Sequence, residues 1–95
     1  MIIVRNCFIA KPGQASKLAA QLSEAAKEMK LPGSRVLTDI TGDFNRVVFE
    51  YEAASAAEFE TRLQDYATNK TIREKMAGYT ELWLTGSREL LRIWG

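Results

Sequence analysis

An amide on an otherwise apolar strand face is the feature of this chain with the most chemistry in it. Residues 2 to 10 alternate as a strand, with Ile2, Val4, Asn6 and Phe8 on one face and Ile3, Arg5, Cys7 and Ile9 on the other. Asn6 thus sits among residues expected to face a core, where its donor and its acceptor both need partners. Two readings stay open: a hydrogen bond to backbone or ordered water, or a donor aimed at a bound molecule. Phe49, Tyr51, Tyr66, Tyr79 and Trp83 are large enough to wall an aromatic-accepting pocket, and Arg62 adds a further donor. Apolar walls with a few polar groups are what small-molecule sites are made of. The same aromatics fall at strand and helix periods, where such residues serve equally as core. Asn6 and Trp83 are the candidates for chemistry; with Phe49, Tyr51, Arg62, Tyr66 and Tyr79 they are the candidates for a pocket.

The composition removes several chemistries. There is no histidine, so the commonest general base, metal ligand and haem axial ligand is missing. The single cysteine, Cys7, has no histidine to activate it and no second cysteine to pair with; it reads as a small hydrophobe on a covered strand face. Asp39, Glu50 and Glu52 are hard-metal ligand types, but Arg5, Arg35 and Arg46 fall on the same sheet face and point to ion pairs instead. No metal site and no cofactor is expected. A formal net charge of +1 gives no field to gather nucleic acid or an anionic membrane. Met1-Ile2-Ile3-Val4-Arg5-Asn6 lacks the basic start and apolar run of a signal peptide, and no stretch approaches the roughly 20 apolar residues of a membrane span. The expected compartment is the cytoplasm.

The elements that must position these residues are marked along the chain. Ninety-five residues, 46% hydrophobic and 26% charged, fit one globular domain over 1–95. Lys11-Pro12-Gly13 ends the first strand. Leu18, Leu22, Ala25 and Met29 recur at helical spacing and predict a helix from about Gln14 to Met29, stopped by Leu31-Pro32-Gly33. Lys17, Gln21, Glu24 and Glu28 form its solvated side. Arg35 to Thr41 and Asn45 to Glu52 read as strands joined by Gly42-Asp43-Phe44, the second with Val47, Phe49 and Tyr51 on its apolar face. Ser55-Ala56-Ala57-Glu58 has capping-box spacing, with Phe59, Leu63 and Tyr66 on the helical face that follows. A second box, Thr71-Ile72-Arg73-Glu74, restarts a short helix ended by Gly78. Thr80 to Trp94 predicts a long last strand, interrupted by a bulge or bend at Thr85-Gly86-Ser87.

The order β-α-β-β-α(α)-β predicts an α+β, ferredoxin-like fold, a four-stranded antiparallel sheet with helices on one face. Helices cover only that face. The other carries Arg5, Arg35, Asp39, Arg46, Glu50 and Glu52 among Ile3, Cys7, Leu37 and Val48. A solvated face would carry charges too, but this much aliphatic surface beside pairable ions points to a partner sheet. The expectation is a homodimer joined through Arg5, Asp39, Arg46, Val48, Glu50 and Glu52, its ion pairs making the contact specific.

The order of elements, with Lys11-Pro12-Gly13, the hairpin from Arg35-Val36-Leu37-Thr38-Asp39 to Val47-Val48-Phe49-Glu50, and the tail Glu81-Leu82-Trp83-Leu84-Thr85-Gly86, resembles NIPSNAP-type proteins over nearly the whole chain. These belong to the dimeric α/β-barrel superfamily that also holds antibiotic-biosynthesis-monooxygenase-like domains. The resemblance implies a pocket between sheet and helices in each subunit, and two sheets closing a barrel across the dimer axis. It implies binding of a small apolar or aromatic molecule; the alternative is a cofactor-independent monooxygenase acting on a quinol or polycyclic phenol, which would hold a substrate anion with donors such as Asn6, Arg62, Trp83 or a tyrosine. Haem-degrading members carry an asparagine at the place matching Asn6. Their tryptophan, however, falls near Arg62 and their haem-ligating histidine near Met76, so haem degradation is not expected.

Overall fold

Four strands and three helices stand in the predicted order in the computed structural model, which describes residues 1–94. They are β1 (Ile2–Ala10), α1 (Ala15–Met29), β2 (Arg35–Thr38), β3 (Arg46–Ala53), α2 (Ala56–Thr68), α3 (Lys70–Lys75) and β4 (Trp83–Arg92), with a 3₁₀ turn at Tyr79–Glu81. The sheet order is β2-β3-β1-β4 with every neighbouring pair antiparallel, the ferredoxin-like α+β arrangement. No helix among the described residues is long and apolar enough to cross a membrane.

The alternation of β1 and β3 decides which side the helices take. Val4 and Val47 are wholly buried beneath them, and Ala10, Tyr51 and Ala53 are nearly so. The apolar stripe of α1 docks there through Leu18 and Leu22, against Val47, Ile72, Met76 and Leu82. A second cluster gathers Val4, Ala26, Leu31, Tyr51 and Phe59. Gln21, assigned to the solvated side of α1, instead donates through Nε2 to the carbonyls of Lys75 (3.3 Å) and Ala77 (3.0 Å), satisfying the open end of α3.

Several element ends differ from the sequence expectation, two of them because a side chain captures a backbone group. β2 stops at Thr38 rather than Thr41, since Asp39 leaves the ladder and its Oδ1 accepts the Arg46 N–H at 2.9 Å. The first capping box forms: the Glu58 N–H donates to Ser55 Oγ (3.3 Å) while Glu58 Oε2 accepts from the Ala54 N–H (2.9 Å). The second does not. Asn69 takes that role, its Oδ1 accepting from the Ile72 N–H at 3.1 Å, and Thr71 lies inside the helix it was expected to start. β4 begins only at Trp83, because the 3₁₀ turn occupies the residues before it. The irregularity in β4 pairing falls opposite Ile9/Ala10 rather than at Gly86. Gly86 answers a packing need instead: a Cβ there would stand 3.2 Å from the Phe8 ring and 3.3 Å from the Cys7 carbonyl oxygen.

Gly33 has φ of +60°, and a Cβ on it would overlap the Glu52 carboxylate. That carboxylate ends a flexible side chain and can move aside, so the backbone conformation sets the cost. Gly33→Ala is expected to lower stability by about 1–2 kcal/mol, read as an earlier midpoint in urea with unchanged slope. An unchanged midpoint would contradict the left-handed turn.

Candidate functional site

The helix side of the sheet is not completely filled. A cavity of about 160 Å³ lies between the sheet and the helices. β1 and β3 supply its floor with Asn6, Phe8, Phe49 and Tyr51. Leu22, Met29 and Leu31 close the α1 side, and α2 covers it with Phe59, Arg62, Leu63 and Tyr66. Met76, Tyr79 and, from β4, Arg88 complete the wall. No aspartate or glutamate lines it among the described residues. A neighbouring hollow of about 320 Å³ shares Met29 and Arg62 but carries Glu28 and Asp65, and is the more polar of the two.

Of the residues singled out from the sequence, Asn6, Phe49, Tyr51, Arg62, Tyr66 and Tyr79 stand on this cavity. Trp83 does not. Its ring packs on Phe8 (centroids 5.4 Å apart) and Tyr79 (6.5 Å), so it sits one layer behind two cavity residues and braces them. The register shift at Ile9/Ala10 pairs Trp83 with Ala10, at the end of the sheet away from Asn6.

Asn6 is 7% exposed, and both ends of its amide have a protein partner. Its Nδ2 donates to the Phe49 carbonyl (3.4 Å) and its Oδ1 accepts from Arg88 Nε (2.6 Å). The amide therefore aims a guanidinium rather than a substrate. Arg88 is directly opposite Asn6 in the β1–β4 register, and its guanidinium carbon lies 5.4 Å from the centroid of the Phe59 ring. Arg62 reaches Glu58 at 3.6 Å across one helical turn. Burial pushes the Tyr51 hydroxyl above its ordinary range, the two arginines pulling the other way. Tyr66 is pushed up to about 12, mainly by burial and further by its neighbour Tyr79. Both phenols are neutral at physiological pH and are donors there, not bases.

The opposite sheet face is organised around one acid. Glu50, only 3% exposed, accepts from Arg5 Nε (2.9 Å) and from Arg35 Nε. The Arg5 and Arg35 guanidinium groups hold its carboxyl below the usual carboxylate range against the opposing effect of burial. Val48 is buried beside it, while Ile3, Cys7, Ile9 and Leu91 are half-buried and Leu37 exposed. Asp39 is not on this face, being drawn to the Arg46 backbone. The three expected acid–arginine pairs are thus one acid shared by two arginines, with Glu52 turned toward Gly33. Among the described residues no cluster of three His, Cys, Asp or Glu could hold a metal ion.

No protein-family profile matches the sequence, and no curated protein does. Solved structures do match in fold. A NIPSNAP domain protein from Burkholderia xenovorans superposes with a TM-score of 0.83 at 11% identity, covering 99% of this chain and 95% of its own. A NIPSNAP family protein from Agrobacterium tumefaciens gives 0.76 at 18% identity, over 96% and 90%. A putative antibiotic biosynthesis monooxygenase from Chloroflexus aurantiacus gives 0.72 at 18%, over 99% and 94%. The chain has the fold shared by NIPSNAP and antibiotic-biosynthesis-monooxygenase-like proteins, and identities this low speak for fold alone.

Proposed function

We propose that this chain is a homodimeric binding protein that takes a small apolar or aromatic molecule between its sheet and helices. The observation that carries this reading is the cavity: aromatic and aliphatic walls around a few fixed polar groups, Asn6, Arg62 and Arg88. An apolar cavity of about 150 Å³ is enough for a benzene ring, so a single-ring body suits the volume of about 160 Å³. Support for the dimer comes from the far sheet face, where Val48 and Glu50 are buried among partly exposed Ile3, Ile9 and Leu91. A second copy would cover that aliphatic surface and leave the Arg5–Glu50–Arg35 group intact. Native mass spectrometry of gently purified protein tests both parts. A dimer retaining added mass from an aromatic compound is expected; a monomer would overturn the assembly. A dimer that neither retains nor accepts an aromatic compound would overturn the binding role.

A second reading is favoured by one observation, the fold shared with structures described as antibiotic biosynthesis monooxygenases. In it the cavity would oxygenate a quinol or polycyclic phenol without a cofactor. The keto tautomer's ring CH₂ would become a carbonyl, taking one atom of O₂, while its two hydrogens leave with the other atom as water. Oxygen uptake over a panel of hydroquinones and phenols separates the readings. Turnover that falls in Asn6→Ala supports the enzyme, and no uptake above buffer leaves the binding protein.

A further inference from the structure

From the charge of this cavity we infer that its ligand is an anion: an aromatic or apolar body ending in a carboxylate or similar group, held by Arg88. The inference rests on the cavity being a binding site and names the class of molecule that it selects.

Three observations carry it. The cavity walls contain two arginines and no acid among the described residues. Each arginine has a different commitment. Arg62 is satisfied in part by Glu58 at 3.6 Å, whereas Arg88 is held by Nε alone, on the neutral amide of Asn6 at 2.6 Å. Its guanidinium carries five donors, and the Asn6 bond fixes its plane while leaving both Nη groups for a second partner. The Phe59 ring beneath it, at 5.4 Å, restricts the side chain further. A guanidinium oriented in this way matches the planar, two-oxygen geometry of a carboxylate. The remaining polar groups agree in sign. Tyr51 and Tyr66 stay protonated and can only donate to an anion, so neither repels it. A cationic ligand would meet no counter-charge here and would face both arginines. A neutral one would use the apolar wall and leave Arg88 idle.

The test compares three molecules with the same single-ring body and arm: phenylpropanoate, phenylpropanol and phenylpropylammonium. Calorimetric titration into the native protein is expected to show the carboxylate binding at least about tenfold more tightly than the alcohol, with the ammonium weakest. Arg88→Gln is expected to remove that margin while leaving the alcohol within about twofold. Arg88→Lys is expected to restore part of it, since a point charge replaces a fork. Arg88 is exposed at the cavity edge but supplies the donor to the buried Asn6 Oδ1, so these variants are expected to fold with a lower melting temperature, and circular dichroism sets a titration temperature at which all are folded. Equal binding of carboxylate and alcohol would overturn the anion preference and keep the cavity as a site. A carboxylate preference that survives Arg88→Gln would overturn the role of Arg88. Failure of the alcohol and the carboxylate alike would overturn the binding reading itself, and this inference with it.

Discussion

Glu50→Lys is expected to yield a monomer and to lower stability by about 3–5 kcal/mol, the cost of breaking a buried ion pair and leaving charge unmatched. The carboxylate is nearly inaccessible and shared by Arg5 and Arg35, so the substitution puts a third cation between two others. Two such faces meeting in a dimer would bring six like charges together. Sedimentation and urea unfolding read the two effects separately. Glu50→Gln is the milder companion, expected at about 1–3 kcal/mol because it keeps the shape and one acceptor. The pH dependence follows from the same group. Its carboxyl is lowered in the folded state by the two arginines, against about 4.3 in the unfolded chain. The pairing therefore contributes fully above that unfolded value and is lost as pH falls through the folded one. Wild-type protein should weaken in acid by an increment that Glu50→Gln lacks. A Glu50→Lys protein that remains dimeric with unchanged unfolding would remove the sheet face from the interface.

The second large effect lies in the core between α1 and the sheet. Leu18 has no exposed surface and packs with Ala10, Val47 and Ile72 where α1 meets the sheet. Leu18→Ala deletes most of a core side chain at a site that well-formed β1 and β3 cannot collapse to fill. The expected cost is about 3–5 kcal/mol, seen as a Tm lower by at least about 10 °C. Leu18→Met, which keeps the volume, should cost less than about 1.5 kcal/mol. Leu22 and Met29 continue the same stripe and line the cavity, so loosening α1 should also weaken ligand binding in the folded fraction. A shift of only a degree or two would mean that α1 does not dock through this stripe.

The fold was legible because its central strands state their own geometry. In β3 the alternation of Val47, Phe49 and Tyr51 with Arg46, Glu50 and Glu52 assigns both faces, and β1 does the same. With α1 striped at the helical period, the order of elements leaves few arrangements of the sheet. The element ends were less legible, because they turn on individual side-chain bonds: Asp39 to the Arg46 N–H, and Asn69 rather than Thr71 to the Ile72 N–H. No periodicity reports which of two nearby polar residues wins a backbone donor.

The cavity divides in the same way. Phe49, Tyr51 and Asn6 were readable from strand alternation, and Tyr66 from its helix face. Arg88 was not. Its bond to Asn6 spans 82 residues and depends on a β1–β4 register that neither strand specifies alone. One signal was available: β4 continued straight through Gly86 places Arg88 and Leu90 on one face, opposite Asn6 and Val4. A break at Thr85-Gly86-Ser87, which the glycine suggests, would erase that alignment. Trp83 lies off the cavity for the complementary reason, since the shift occurs beside it and turns it behind Phe8.

The most direct test of the central claim, that the cavity takes an apolar ring, is a methyl-resolved NMR titration with phenylpropanol. The Met29 and Met76 methyl groups and those of Leu22 and Leu63 belong to the cavity wall, whereas those of Leu37 and Leu84 lie exposed elsewhere. Saturable shifts confined to the first set are expected, with ring-current displacement greatest at Met29 and Met76. Shifts at Leu37 and Leu84 alone, or no saturable shift at any cavity methyl, would contradict it.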